Sequence, residues 1–230
     1  MSPWPAAALF LAYVLPGPVL LRQFGDRRLQ APGSTHLEGT ISFFGQDARS
    51  LAAKAGAPLQ GVRADRVDFP ARLSFSPGRC ALSFGLPDRP LGRIVDEGGK
   101  ITENGPAPVG ATLLAAEGCL PFLWRGAEAA SAWMALLQSR GVNPRRVDLT
   151  RFDGRVAYAI GGAAGGPMTL VLSEERLLPL RLLVHDGPSL LDVRLREYRP
   201  AIPEGALPGR WSIFRDGAKV VSFNVEPVTR

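Results

Sequence analysis

Arg151-Phe152-Asp153-Gly154-Arg155-Val156-Ala157-Tyr158-Ala159-Ile160 is the stretch from which the fold of this 230-residue chain is read. Val156, Tyr158 and Ile160 alternate with Arg155, Ala157 and Ala159, and a period of two marks a half-buried strand. Asp153-Gly154 sits between two such runs, and both residue types accept the positive φ that a primed two-residue hairpin needs. The same grammar returns downstream. Leu191, Val193 and Leu195 alternate with Asp192, Arg194 and Arg196, and Asp216-Gly217 supplies another tight turn. Residues 147–228 therefore read as an antiparallel meander.

Upstream, residues 36–44 form a first strand with Leu37, Ile41 and Phe43 on one side. Residues 46–66 have no clear period and read as a long loop with a helical turn at 48–55. Residues 67–75 and 79–84 form two further strands around Ser76-Pro77-Gly78, and Pro70 argues for an edge position or a bulge. Residues 92–96 and 100–102 make a hairpin on Gly98-Gly99. Residues 109–141 interrupt the strands with helix, in which Ala130, Trp133, Met134 and Leu137 recur at helical spacing and Gly141 with Asn143-Pro144 gives the stop. Near the N-terminus, Pro18 suits the first turn of a helix with Val19, Leu20 and Phe24 as its apolar face. The pattern predicts a mainly β (α+β) single domain of about eight to eleven strands.

The chain is 46% hydrophobic and 21% charged, the balance of a folded protein. Only three of its 27 basic residues are lysines, Lys54, Lys100 and Lys219. The net charge of +6 is spread along strand faces instead of gathering in a stripe with stacking aromatics, so no nucleic-acid partner is expected, while weak attraction to anionic membrane surfaces is compatible with it. Residues 5–21 are the most apolar stretch, but Pro16 and Pro18 break it short of a membrane-spanning helix. Its part Ala6-Ala7-Ala8-Leu9-Phe10-Leu11-Ala12 has the length of a signal-peptide apolar region with small residues for cleavage, although residues 1–5 carry no basic side chain. Two readings stay open: a signal at 1–12 ahead of a mature domain at 13–230, or an apolar N-terminus that packs on the domain.

Nothing in the residues names a reaction. His36 and His185 lie far apart, no H-E-x-x-H or G-x-S-x-G occurs, and the glycine run at 161–166 lies between strands and fits no phosphate-binding pattern. No enzyme activity, metal or cofactor is expected. Cys80 and Cys119 are the only cysteines and are read either as one disulfide or as two buried thiols. What stands out is apolar surface. Phe43, Phe75, Phe84, Tyr158, Leu172, Leu182 and Ile213 form the bulky face of the strands, and Trp133, Met134 and Leu137 form a helical stripe to lay over it. Together they make either a filled core or an apolar cleft under a lid.

The C-terminal half also carries a resemblance. The run 151–160, then Leu170-Val171-Leu172 with 177–184, then 191–198 ending in Tyr198, then Gly209-Arg210-Trp211 through Gly217, resembles the outer-membrane lipoprotein-sorting, Lol-type carrier superfamily of Gram-negative bacteria. The resemblance implies a curved, open antiparallel sheet, an incomplete β-barrel with helices packed on its concave face. It also implies a periplasmic carrier whose apolar cleft shields the acyl chains of lipid or lipoprotein, with membrane-bound envelope proteins as further partners. An envelope-stress sensor or protein-interaction module on the same scaffold is the alternative.

Overall fold

The computed structural model describes residues 14–27, 34–55, 65–86, 89–162, 166–198 and 207–226. One meander comprises β1 (Thr35–Phe44), β2 (Arg66–Ser76), β3 (Arg79–Leu86), β4 (Arg89–Glu97) and β5 (Lys100–Asn104). The second comprises β6 (Val147–Phe152), β7 (Arg155–Ile160), β8 (Met168–Ser173), β9 (Pro179–Asp186), β10 (Ser189–Arg196), β11 (Arg210–Arg215) and β12 (Ala218–Val225). They fuse where β1 pairs antiparallel with β12, giving one twelve-stranded sheet of order β5-β4-β3-β2-β1-β12-β11-β10-β9-β8-β7-β6. The sheet is open, with β5 and β6 as its edges. At both Asp-Gly turns the two residues take positive φ, 50° and 79° at Asp153-Gly154 and 52° and 79° at Asp216-Gly217, as a primed hairpin requires.

Strand register turns sequence alternation into two faces. Val67, Phe43, Val221, Ile213, Val193, Leu182, Leu170, Ile160 and Val147 lie opposite one another in succession, a single inner row across nine strands. One residue along, Asp68, Ser42, Ser222, Ser212, Arg194, Arg181, Val171, Ala159 and Asp148 form the matching outer row. A one-residue slip would exchange these faces, so burial of the inner row pins the register.

Four helices join the sheet: α1 (Gly17–Asp26), α2 (Gly45–Ala55), α3 (Val109–Leu113) and α4 (Gly126–Ser139). From α3 the chain continues through a π-helical turn (Leu114–Gly118) and a 3₁₀ turn (Leu120–Phe122). This segment is fastened to the inner face at two adjacent residues. The Trp211 indole N–H donates to the Gly118 carbonyl at 3.1 Å, and Cys119 is disulfide-bonded to Cys80 on β3. Asp47 on α2 accepts the Gly110 N–H at 2.7 Å, linking α2 to the start of α3. α1 packs on α4 at a small-residue crossing, where a side chain at Gly25 would run into the Gly126 carbonyl and the Ala129 methyl.

Several expectations change in detail. The apolar face of α1 is Leu20, Leu21 and Phe24, whereas Val19 is 40% exposed. The segment after β1 is a full helix, α2, burying Ala48 and Leu51 instead of a loop with one helical turn; residues 56–64 lie outside the described residues. Pro70 sits in an interior strand. Its pairing with Thr40 of β1 continues, but the ladder to β3 begins only at Ala71, so the missing N–H falls where that side is already unpaired. The sheet has twelve strands, one more than the upper end of the expected eight to eleven.

Candidate functional site

All ten residues singled out from the sequence meet in one hydrophobic cluster between the inner sheet face and the helices. Phe43, Phe75, Phe84, Trp133, Leu137, Leu172, Leu182 and Ile213 are buried, while Met134 and Tyr158 are half-buried. Among the described residues these side chains pack against one another.

Three aromatic groups hold that interior. Phe43, Phe69 and Phe84 lie at the β1–β3 end, with centroid separations of 5.2 to 6.2 Å. Phe75, Phe122, Trp211 and Phe223 form a central set at 5.7 to 6.4 Å, directly under the Gly118 and Cys119 anchors. Trp124 meets Trp133 edge to face at 5.8 Å and 83°. Phe122 sits on a 3₁₀ turn, where neither the helical nor the strand period applies. Trp211 and Phe223 lie opposite each other on β11 and β12, two residues along from Ile213 and Val221 of the inner row.

Polar groups touch this interior at few places. Asp96 on β4 is buried beside Cys80 in the register and accepts the Gly99 N–H at 2.9 Å; burial raises its pKa, and that hydrogen bond offsets part of the rise. Glu117 in the π-helical turn pairs with Arg140 at the end of α4 at 3.2 Å, tying the two helical segments together.

The outer face is polar and networked. On β1 and β2, Arg72 pairs with Glu38 at 2.6 Å and His36 Nδ1 lies 2.9 Å from the Ser74 hydroxyl, both beside a groove of about 570 Å³ that also reaches Arg93 and Glu226. Further along the sheet Arg181 and Arg194 share the carboxylate of Asp192 at 2.7 and 2.8 Å. Burial pushes the Asp192 pKa up, but the hydrogen bonds and charges of Arg181 and Arg194 more than reverse this and hold it below the usual carboxylate value. A small apolar patch of Ala157, Ala159, Val171 and Leu180 is covered from outside by Phe152 and Tyr198, whose hydroxyl donates to the Pro179 carbonyl. Alternation alone assigns those alanines to solvent. Both histidines are on the surface, and among the described residues no three His, Cys, Asp or Glu side chains converge on a metal position. Among the same residues no helix is long and apolar enough to cross a membrane.

Two solved structures superpose on this open twelve-stranded sheet and its helices. A protein of the LolA superfamily from Nitrosomonas europaea superposes with a TM-score of 0.52 at 11% identity, covering 93% of each chain. The chain has the LolA-superfamily fold. A putative outer-membrane lipoprotein-sorting protein domain from Vibrio parahaemolyticus gives a TM-score of 0.52 at 10% identity, over 92% of this chain and 90% of the other. No protein-family model matches the sequence, and no curated protein is similar to it. At such identity the LolA-type likeness is one of fold, and the resemblance read from the C-terminal strands agrees with it.

Proposed function

We propose that this chain is a non-enzymatic periplasmic carrier that takes acyl chains of lipid or lipoprotein between its inner sheet face and its helices. The observation that carries the reading is the continuous inner apolar row, nine strands wide, closed over by helices in a sheet that never seals into a barrel. A protein that needs only a stable core has no need of an open sheet with its helices in the middle, whereas a carrier needs a wall that stays fixed and a cover that shifts. The anchors divide accordingly: the segment at 118–119 is bonded to the sheet, while α4 and α1 pack chiefly on each other. Each methylene buried from water contributes ~0.8 kcal/mol, so a chain of a dozen or so carbons binds usefully without any polar contact. In this reading residues 1–12 are a signal that directs export, and the partners are acylated proteins and the envelope proteins that hand them over.

The packed interior favours one second reading, a protein-interaction or envelope-stress module that keeps the scaffold and uses its surface. Titration of the purified protein with an environment-sensitive fluorescent fatty acid separates the two. Saturable uptake, displaced by an acylated peptide and unaffected by the same peptide without its acyl group, supports the carrier; absence of saturable uptake supports the module.

A further inference from the structure

The outer face from β2 through β1, β12, β11 and β10 to β9 carries a feature that neither acyl-chain binding nor the packing of the core uses. Ser42, Ser222 and Ser212 are cross-strand neighbours at the floor of a trough and are 0%, 6% and 5% exposed although they face outward. Side chains from the adjoining rows overhang them, and these are cations riding on aromatic rings. Lys219 Nζ lies 5.4 Å from the Phe44 ring centre and 5.6 Å from that of Phe214; Arg66 caps Phe44 at 5.7 Å and Arg194 caps Phe214 at 4.3 Å. Arg181 and Arg196 share the Phe152 ring at 5.9 and 5.8 Å.

Charge does not balance here. Arg66 pairs with Asp68, Arg196 with Asp153 and Arg210 with Glu197. Arg181 and Arg194, however, divide one carboxylate, that of Asp192, and among the described residues no carboxylate pairs with Lys219. The field is felt at Lys219, whose pKa is lowered by burial and then by Arg210, Arg66, Arg196 and Arg194 together. A protein gains nothing in stability from clustering like charges, so the excess marks a surface matched to an external anion.

The extent of the array says which anion. From Arg66 on β2 to Arg181 on β9 the cations cross six adjacent strands, which at ~4.8 Å per strand is roughly 24 Å. That is too broad for one oxyanion and suits several phosphates presented in a plane. Duplex or single-stranded nucleic acid also presents rows of phosphate, but the rings it would stack on are already capped, Phe44, Phe214 and Phe152 each by two cations. We infer that the outer face from β2 to β9, centred on Lys219 and the Ser42–Ser222–Ser212 trough, docks against the phosphate headgroups of an anionic lipid bilayer. This holds whether or not the interior takes acyl chains, so the two readings fail separately.

The test is sedimentation of the full chain with vesicles of phosphatidylcholine alone or mixed with phosphatidylglycerol, for wild type, Lys219→Glu and Arg93→Glu. Lys219→Glu puts a carboxylate among four arginines, so its fold is expected to be kept, with a melting temperature at or above that of wild type. Arg93 lies exposed on β4, away from the array, and its substitution makes the same change of net charge. At about fivefold per elementary charge near such a surface, Lys219→Glu should weaken binding to the mixed vesicles about 25-fold, while Arg93→Glu should change it little. Binding should also fall as salt is raised. Equal losses in the two variants would mean diffuse attraction and overturn the site. Binding to neutral vesicles as tight as to mixed ones would overturn it too, as would displacement by inorganic phosphate at low concentration. Tighter binding of short duplex DNA than of vesicles at one salt concentration would overturn the choice of partner.

Discussion

Trp133→Ala probes the packing between α4 and the sheet. Trp133 is 0% exposed, meets Trp124 edge to face at 5.8 Å, and belongs to the same cluster as the inner sheet residues. Truncating a fully buried tryptophan removes its transfer free energy and leaves a cavity, together about 3 to 5 kcal/mol. For a chain of this size each kcal/mol moves the melting temperature by roughly 2 to 4 °C, so a fall of about 10 °C is expected by calorimetry, with a matching shift in urea midpoint at unchanged slope. Met134, one residue along and half-buried, should lose only about 1 to 2 kcal/mol on truncation to Ala. The carrier reading adds a second expectation. The void left by the indole lies in the space an acyl chain would enter, so a saturating fatty acid should raise the melting temperature of Trp133→Ala more than that of wild type. A loss below about 1 kcal/mol would refute the packing described, because a ring enclosed on all sides does not vanish so cheaply.

Removing the Cys80–Cys119 bond by a double substitution to Ala should lower stability by about 4 kcal/mol in the chain-entropy treatment of the loop between them; native-state hydrogen exchange should show the gain in opening concentrated at 109–122, and equal exchange in both proteins would speak against the anchor. Asp96→Asn should stabilise the protein at neutral pH. A folded-state pKa raised by burial favours the protonated form, so the wild type is stabilised in acid and loses that contribution as pH rises through the folded value; the difference between the two proteins should vanish in acid, and a difference that stays constant with pH would refute the assignment. Asp192 has the opposite sign. Its pKa is lowered in the fold, so its contribution is present above the unfolded value near 4 and lost as pH falls through the folded one; Asp192→Asn should cost about 1.5 to 3 kcal/mol at neutral pH and progressively less in acid, as read from denaturant midpoints.

The strands were legible where one face is buried and the other wet. On β1 and β10 alternation placed the inward residues Leu37, Ile41, Phe43, Leu191, Val193 and Leu195 correctly, and the two Asp-Gly turns fixed which strands pair. Reading failed where both faces share a state. β8 is buried on both sides at Leu170, Val171 and Leu172, and Ala157 and Ala159 on β7 are covered by Phe152 and Tyr198, a cover contributed by residues distant in sequence. The π-helical and 3₁₀ turns after α3 obey neither simple period, so the Trp211–Gly118 hydrogen bond had no local signature. The ten candidate residues were found because bulk and alternation suffice to assemble a core. Whether such a core opens depends on how weakly its helices are held, and that is a balance of contacts across the chain instead of a pattern within it.

Photo-crosslinking with a diazirine-bearing fatty acid, followed by peptide mapping, addresses the interior most directly. The account predicts saturable labelling on the inner face and its helical cover, at Tyr158, Leu172, Leu182, Met134 and their neighbours, competed by unlabelled fatty acid. Labelling confined to the outer groove around His36 and Arg93, or none that saturates, would contradict it.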